Sequence, residues 1–276
     1  MKKWAVIYKR ILATLSMVFA VNTAVPNSWG SLAAQEPTPL AIKFCYQNKE
    51  LFPNYMGEKS SKLADNPGIN IELVDKIALN LNLNIQYVRY SWNRCLAHLK
   101  AGRVDSLIAS YNTDRAEYAV YPVTDNGLDI EKRINTLAYY MYHTAGSPVW
   151  NSEGLIDSNT MVAAPLGYSV VKALRDRGIN VVEAGSPEDT LKLLVHKRVD
   201  AIAAPGTTAD ALIRADITRF GDIKKDPTPI TQRPYFIVFS QKFSGLNPEL
   251  TKAIWQQTSS VRANYRRQLV DKYYNR

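Results

Sequence analysis

Cysteine is nearly absent from this chain, with two in 276 residues. That excludes a disulfide-dense scaffold and any four-cysteine zinc site. Histidine is almost as scarce, and His98, His143 and His196 are scattered. No pair of them has metal-ligand spacing and no Ser-His-Asp order suggests itself, so neither a metal nor a cofactor is expected. Glycine (13) and proline (14) are too few for a collagen-like or low-complexity chain. Beyond the N-terminal region no stretch is long and apolar enough to span a bilayer. What remains is ordinary globular material, 46% hydrophobic and 21% charged. The formal charge of +9 alone would suggest a polyanionic partner.

Residues 1–33 alter that suggestion. Lys2, Lys3, Lys9 and Arg10 precede the apolar run Ile11–Val21, which Asn22, Pro26 and Asn27 end. Ser31-Leu32-Ala33 sets small residues at the −3 and −1 positions of a cleavage site. A basic start, a short apolar run and a small-residue site make a secretory signal peptide, cleaved near Ala33. A membrane anchor is the rival, but the run is shorter than the ~20 residues a spanning helix needs. The 34 basic residues less those four leave 30 against 25 acidic, a formal +5 for an exported, periplasmic chain. In an oxidising compartment Cys45 and Cys95 are expected to pair, with two buried free thiols as the alternative. The bridge would close a loop of about 50 residues, a contribution of ~4 kcal/mol in the chain-entropy model.

Periodicity organises the rest. Ala41–Tyr46 reads as a strand, Ile71–Leu81 as a helix with Ile71, Val74, Ile77, Ala78 and Leu81 on one face, and Asn84–Val88 as a strand. A helix follows from Trp92 to Ala101, with Ser91 placed to cap it and Gly102 to stop it, then a strand at Val104–Ala109. The alternation recurs in a strand at Met161–Ala164, a Gly167-Tyr168-Ser169 turn, a helix from Val170 to Arg177, and a strand at Asn180–Glu183. A Ser186-Pro187 helix start then leads into a strand at Val199–Ala203. Leu96–Asp105 aligns with Leu191–Asp200, each a helix end, a tight turn and a strand start. Such alternation predicts an α/β fold of two Rossmann-like lobes. Extended segments at Thr136–Tyr142 and Tyr235–Phe239 would form a two-strand hinge, and the last thirty residues are helical with Leu250, Ile254, Val261, Leu269 and Tyr273 as anchors. Lobe 1 is expected to be residues 34–137 plus 238–276 and lobe 2 residues 138–237, with a ligand cleft between them.

In this arrangement the chain resembles the periplasmic solute-binding proteins of the polar amino acid uptake type, family 3 of the bacterial extracellular solute-binding proteins, with a type 2 periplasmic-binding fold. The resemblance covers nearly all of residues 38–276. It rests on Gly68–Val74, on Trp92 with Leu96, Leu99, Gly102 and Asp105, on Ser110–Arg115, on the Gly167-Tyr168-Ser169 turn, on Arg198-Val199-Asp200, and on the aromatic C-terminal helix. It implies binding of a small solute and delivery to an inner-membrane permease by a monomer. It also implies that Arg115 grips a ligand carboxylate, for which a planar guanidinium fork is suited. Ser110 and Asn112 are further polar candidates, Tyr168 and Ser169 open a helix of the second lobe, and Tyr46, Tyr55 and Trp92 would supply aromatic walls. A surface ion pair with Asp114 or Glu117 is the bland reading of Arg115, and a plain helix cap that of Ser169. One departure matters. The family's aspartate for the ligand ammonium would fall in Ala203–Thr207, which has no acid, and Asp210 lies a turn further on. An α-amino acid ligand is therefore in question, and a carboxylate without an α-amine is the alternative.

Other classes fit less well. A periplasmic enzyme on the same fold would need Glu117, Asp125 or His143 to do chemistry. A sensing module would need a separate membrane receptor. Nucleic acid binding would rest on Arg262–Arg267 alone, which reads as a solvated helix face.

Overall fold

The computed structural model describes residues 40–275, apart from 59, 145 and 147. The proposed signal segment lies outside them. Chain order runs β1 (Ala41–Gln47), α1 (Ile69–Asn80), β2 (Asn84–Tyr90), α2 (Trp92–Lys100), β3 (Ser106–Ser110), α3 (Thr113–Ala116), β4 (Ala119–Val120), the hairpin β5 (Val123–Thr124) and β6 (Gly127–Leu128), and a 3₁₀ turn at Ile130–Lys132. It continues through β7 (Asn135–His143), β8 (Val162–Pro165), α4 (Ser169–Arg175), β9 (Val181–Ala184), α5 (Pro187–Val195) and β10 (Ala201–Pro205). The last elements are α6 (Gly206–Ala215), α7 (Ile217–Phe220), β11 (Lys224–Ser240), α8 (Gln241–Leu246) and α9 (Pro248–Tyr274).

A single continuous sheet joins the two lobes in the order β2-β1-β3-β11-β7-β10-β8-β9, with β4 also paired to β11. At one end β2, β1 and β3 are parallel, and at the other β10, β8 and β9 are parallel. Between them β11 and β7 run antiparallel to each other and to their outer neighbours. Tyr235–Phe239 pair with Ser110–Ser106, while Lys224–Tyr235 pair with His143–Asn135, so β11 serves both ends. Only Tyr235–Phe239, near its end, are legible in the sequence as a strand. Pro227, Pro229 and Pro234 each lack a ladder donor and read as loop. The sheet accommodates the middle one with register shifts on either side of Pro229.

Side-chain alternation builds a core on each face of each lobe. Ile42, Phe44 and Tyr46 of β1 join Ile108 and the apolar faces of α1 and α9, including Ile254, Val261, Leu269 and Tyr273. Cys45 points the other way, with Cys95, Leu99, Leu107, Ala109, Phe236 and Val238. In the second lobe Ala201 and Ala203 face one cluster and Ile202 and Ala204 the other. Cys45 and Cys95 are bonded, with a Cα–Cα distance of 5.7 Å, and join the end of β1 to the first turn of α2.

The internal similarity seen in sequence is structural. Gly102 (φ 62°) and Lys197 (φ 53°) occupy the same left-handed position after α2 and α5. Gly102 N donates to Leu99 O at 3.0 Å, and Lys197 N to Leu194 O at 2.9 Å. Asp105 Oδ2 then accepts from Lys43 N, and Asp200 Oδ2 from Met161 N, both at 2.8 Å. Each aspartate fixes the start of the neighbouring parallel strand. Ser186 caps α5 as expected, accepting from Asp189 N at 3.1 Å. Ser91 sits at the cap position of α2 but its side chain makes no capping bond.

Candidate functional site

The cleft lies where strand ends and helix starts of the two lobes converge, the position open α/β sheets reserve for ligands. From the first lobe come Gln47 at the end of β1, Leu51, Asn54 and Tyr55 of the following loop, Asn70 in the first turn of α1, Trp92 at the start of α2, Ile108 and Ser110 of β3, and Arg115. Leu137 and Tyr235 enter from the crossing strands. The second lobe contributes Gly167, Tyr168 and Ser169 between β8 and α4, and Pro205 and Thr208 between β10 and α6. Together they line one narrow cavity between the strand ends and helix starts, part of it open to solvent.

Arg115 is the cationic centre. Asn112 Oδ1 accepts from Arg115 N at 2.7 Å and so closes the single turn of α3 that carries it. Arg115 is 3% exposed. Nη1 donates to Ser110 O, which also accepts from Tyr121 Oη at 2.8 Å. Nη2 donates to Gly167 O across the cleft at 3.3 Å, and Nε has no partner. No carboxylate among the described residues pairs with it.

The second lobe already reaches across. Trp92 Nε1 donates to the same Gly167 carbonyl at 3.2 Å, and Tyr168 Oη donates to Gln47 Oε1 at 2.8 Å. Thr208 Oγ1 donates to Phe52 O at 3.4 Å, and the Tyr139 and Tyr235 hydroxyls bond each other at the crossing strands. Gly167 can hold this place because it has no side chain. Its φ is +75°, and a Cβ there would stand 2.2 Å from Asn93 Oδ1. Burial pushes the phenols of Tyr55 and Tyr168 well above their ordinary range, so both stay neutral.

Six of the eight sequence candidates line the cavity: Arg115, Ser110, Tyr55, Trp92, Tyr168 and Ser169. Ser169 Oγ is buried without a hydrogen-bond partner; Tyr168, not Ser169, is the cap residue of α4. Tyr46 and Asn112 do not line it. Tyr46 is 1% exposed in the first-lobe core, its ring 5.3 Å from that of Tyr55 and under the Arg89 guanidinium at 4.6 Å. Asn112 spends its side-chain oxygen on the Arg115 turn and faces a shallower depression beside Lys172 and Arg233. Gln47, Asn54, Asn70, Thr208 and Tyr235 are cavity residues that sequence reasoning did not single out. Of the groups considered for catalysis, His143 lies 3.2 Å from Asp226 Oδ1, buried in the second lobe and away from the cavity.

Residues 49–129 match the model of the bacterial extracellular solute-binding proteins, family 3. Solved structures agree in fold over nearly the whole described chain. A histidine kinase sensor domain with similarity to periplasmic binding proteins superposes with a TM-score of 0.68 at 20% identity, covering 86% of this chain and 97% of that one. The GluR0 ligand-binding core in complex with L-glutamate gives 0.67 at 17% identity, covering 86% and 99%. The arginine-, lysine-, histidine-binding protein ArtJ of Geobacillus stearothermophilus gives 0.66 at 14%, covering 86% and 96%. No curated protein sequence matches this chain. The matched family model is one of extracellular proteins, and no helix among the described residues of this chain is long and apolar enough to cross a membrane.

Proposed function

We propose that this solute-binding protein is a periplasmic receptor for a small carboxylate-bearing solute, an amino acid or related organic acid, which it delivers as a monomer to an inner-membrane permease. The observation that carries this reading is Arg115, a guanidinium buried in the cleft wall with an unpartnered Nε and no carboxylate beside it. A buried cation without a counter-ion is unfavourable, and a carboxylate arriving from solvent supplies one with bidentate geometry. In this reading Ser110, Tyr168 and Ser169 add polar contacts, and Tyr55 and Trp92 pack on the solute. Asn112 acts by holding the Arg115 turn, and Tyr46 by backing Tyr55. Residues 34–137 with 238–276 form one lobe and 138–237 the other, residues 1–33 direct export, and solute binding favours closure because only the closed state contacts it from both sides.

Arg115→Lys tests the assignment, since it keeps the charge and removes the fork. Calorimetry against amino acids, keto acids and dicarboxylates should show affinity for the bound acid falling at least about tenfold, with the melting temperature little changed. Unchanged affinity counts decisively against the site.

A sensing role is the second reading, favoured by the likeness to the histidine kinase sensor domain. Ligand-dependent capture from membrane extracts separates the two: a permease subunit supports delivery, a receptor kinase supports sensing.

A further inference from the structure

The cavity contains one formal charge. Arg115 is permanently cationic, and among the described residues no aspartate, glutamate, lysine or histidine lines the space with it. Two acids of the second lobe that flank the lining are occupied elsewhere. Asp210 Oδ1 accepts from Tyr142 Oη at 2.8 Å and its Oδ2 from Lys225 Nζ at 2.5 Å. Glu183 is held by Arg175 at 2.8 Å and accepts from Gly167 N at 3.1 Å. Neither lines the cavity. An ammonium group brought here would lose its hydration beside a like charge and gain no carboxylate.

The neutral polar groups differ in what they have left to give. Asn70 Oδ1 accepts from Asn135 Nδ2 at 2.7 Å. Asn54 lines the cavity, and its Oδ1 is buried with no hydrogen-bond partner. An unpartnered amide oxygen accepts, so it calls for a donor, which an uncharged hydroxyl substituent supplies.

Resting on the carboxylate reading above, we infer that the solute is a small monocarboxylate without a cationic amine, with its uncharged body among Tyr55, Trp92, Tyr168 and Tyr235 and a hydroxyl group donating to Asn54 Oδ1. This separates the protein's ligand from α-amino acids by charge.

Matched pairs test this on the secreted, disulfide-bonded protein. Each amino acid is compared with its 2-hydroxy acid, its des-amino acid and the primary amide of the latter, across aliphatic, aromatic and polar bodies, by calorimetry and thermal shift. For at least one body the amine-free acid should bind, with the amino acid at least about tenfold weaker. An amino acid that binds as tightly as its amine-free partner overturns this inference and leaves the carboxylate reading standing. An amide that binds as tightly as its acid, or silence from every acid, overturns the carboxylate reading and this inference together. Asn54→Ala should weaken the 2-hydroxy acid about tenfold while sparing the des-amino acid. Equal losses for the two ligands, compared within one variant, overturn the contact at Asn54.

Discussion

Arg115 works through what surrounds it rather than through its own titration. Its charge persists at any pH the protein meets. Tyr55 and Tyr168 have phenols raised by burial, so their neutral forms persist as pH rises through the range where an ordinary phenol begins to ionise. A bound carboxylate should therefore show constant affinity from about pH 6 to about pH 8.5, since an ordinary carboxylic acid is already ionised there. Calorimetry across that range checks this, and a tenfold change would mean a titrating group in the cavity has been missed. Arg115, Ser110, Trp92, Tyr168 and Ser169 were singled out through the family resemblance, with periodicity supplying only the strand ends and helix starts on which they stand. Asn54, Asn70 and Thr208 were not. A lone amide or hydroxyl carries no periodic signature, and only the three-dimensional meeting of loop, α1 and α6 brings these three to one cavity. The two candidates that miss the cavity fail for opposite reasons: Tyr46 is turned inward by strand alternation, and Asn112 is spent on the backbone.

At the level of elements, the repeated helix–turn–strand corner is the most informative unit. The first copy fills its left-handed position with Gly102, the second with Lys197. A lysine there pays a steric penalty of roughly 1–2 kcal/mol that glycine avoids, partly offset by glycine's greater loss of backbone freedom. Lys197→Gly should stabilise the protein by about 0.5–1 kcal/mol in urea unfolding, with no effect on solute affinity, because the turn lies at the far end of β10 from the cleft. A loss of stability would mean that the lysine side chain supports the turn in a way its backbone does not reveal. The parallel strands and crossover helices were readable because burial on both faces writes continuous apolar runs. β11 was half hidden because its prolines imitate a loop, and α6, beginning at Gly206 after a buried proline, offered no cap residue to announce it.

On the whole-molecule scale the cysteine pair matters through the unfolded chain. Cys45 and Cys95 are 50 residues apart in sequence, and both are fully buried in the first-lobe core. Replacing both by alanine removes a constraint of ~4 kcal/mol, which at about 2–4 °C per kcal/mol for a protein of this size lowers the melting temperature by roughly 8–15 °C. A shift under about 3 °C would place the bridge's value in local geometry instead. The position of β11 has a different reach. It lies between β3 and β7, and α9 completes the core beneath β1 and α1. The lobe that begins first along the chain is therefore the one finished last. Until residues beyond 235 have been delivered, β3 keeps an open edge and Ile42, Phe44 and Ile71 lack the helix that covers them. A polypeptide threaded through a membrane from its N-terminus would thus stay incompletely folded until nearly all of it had crossed.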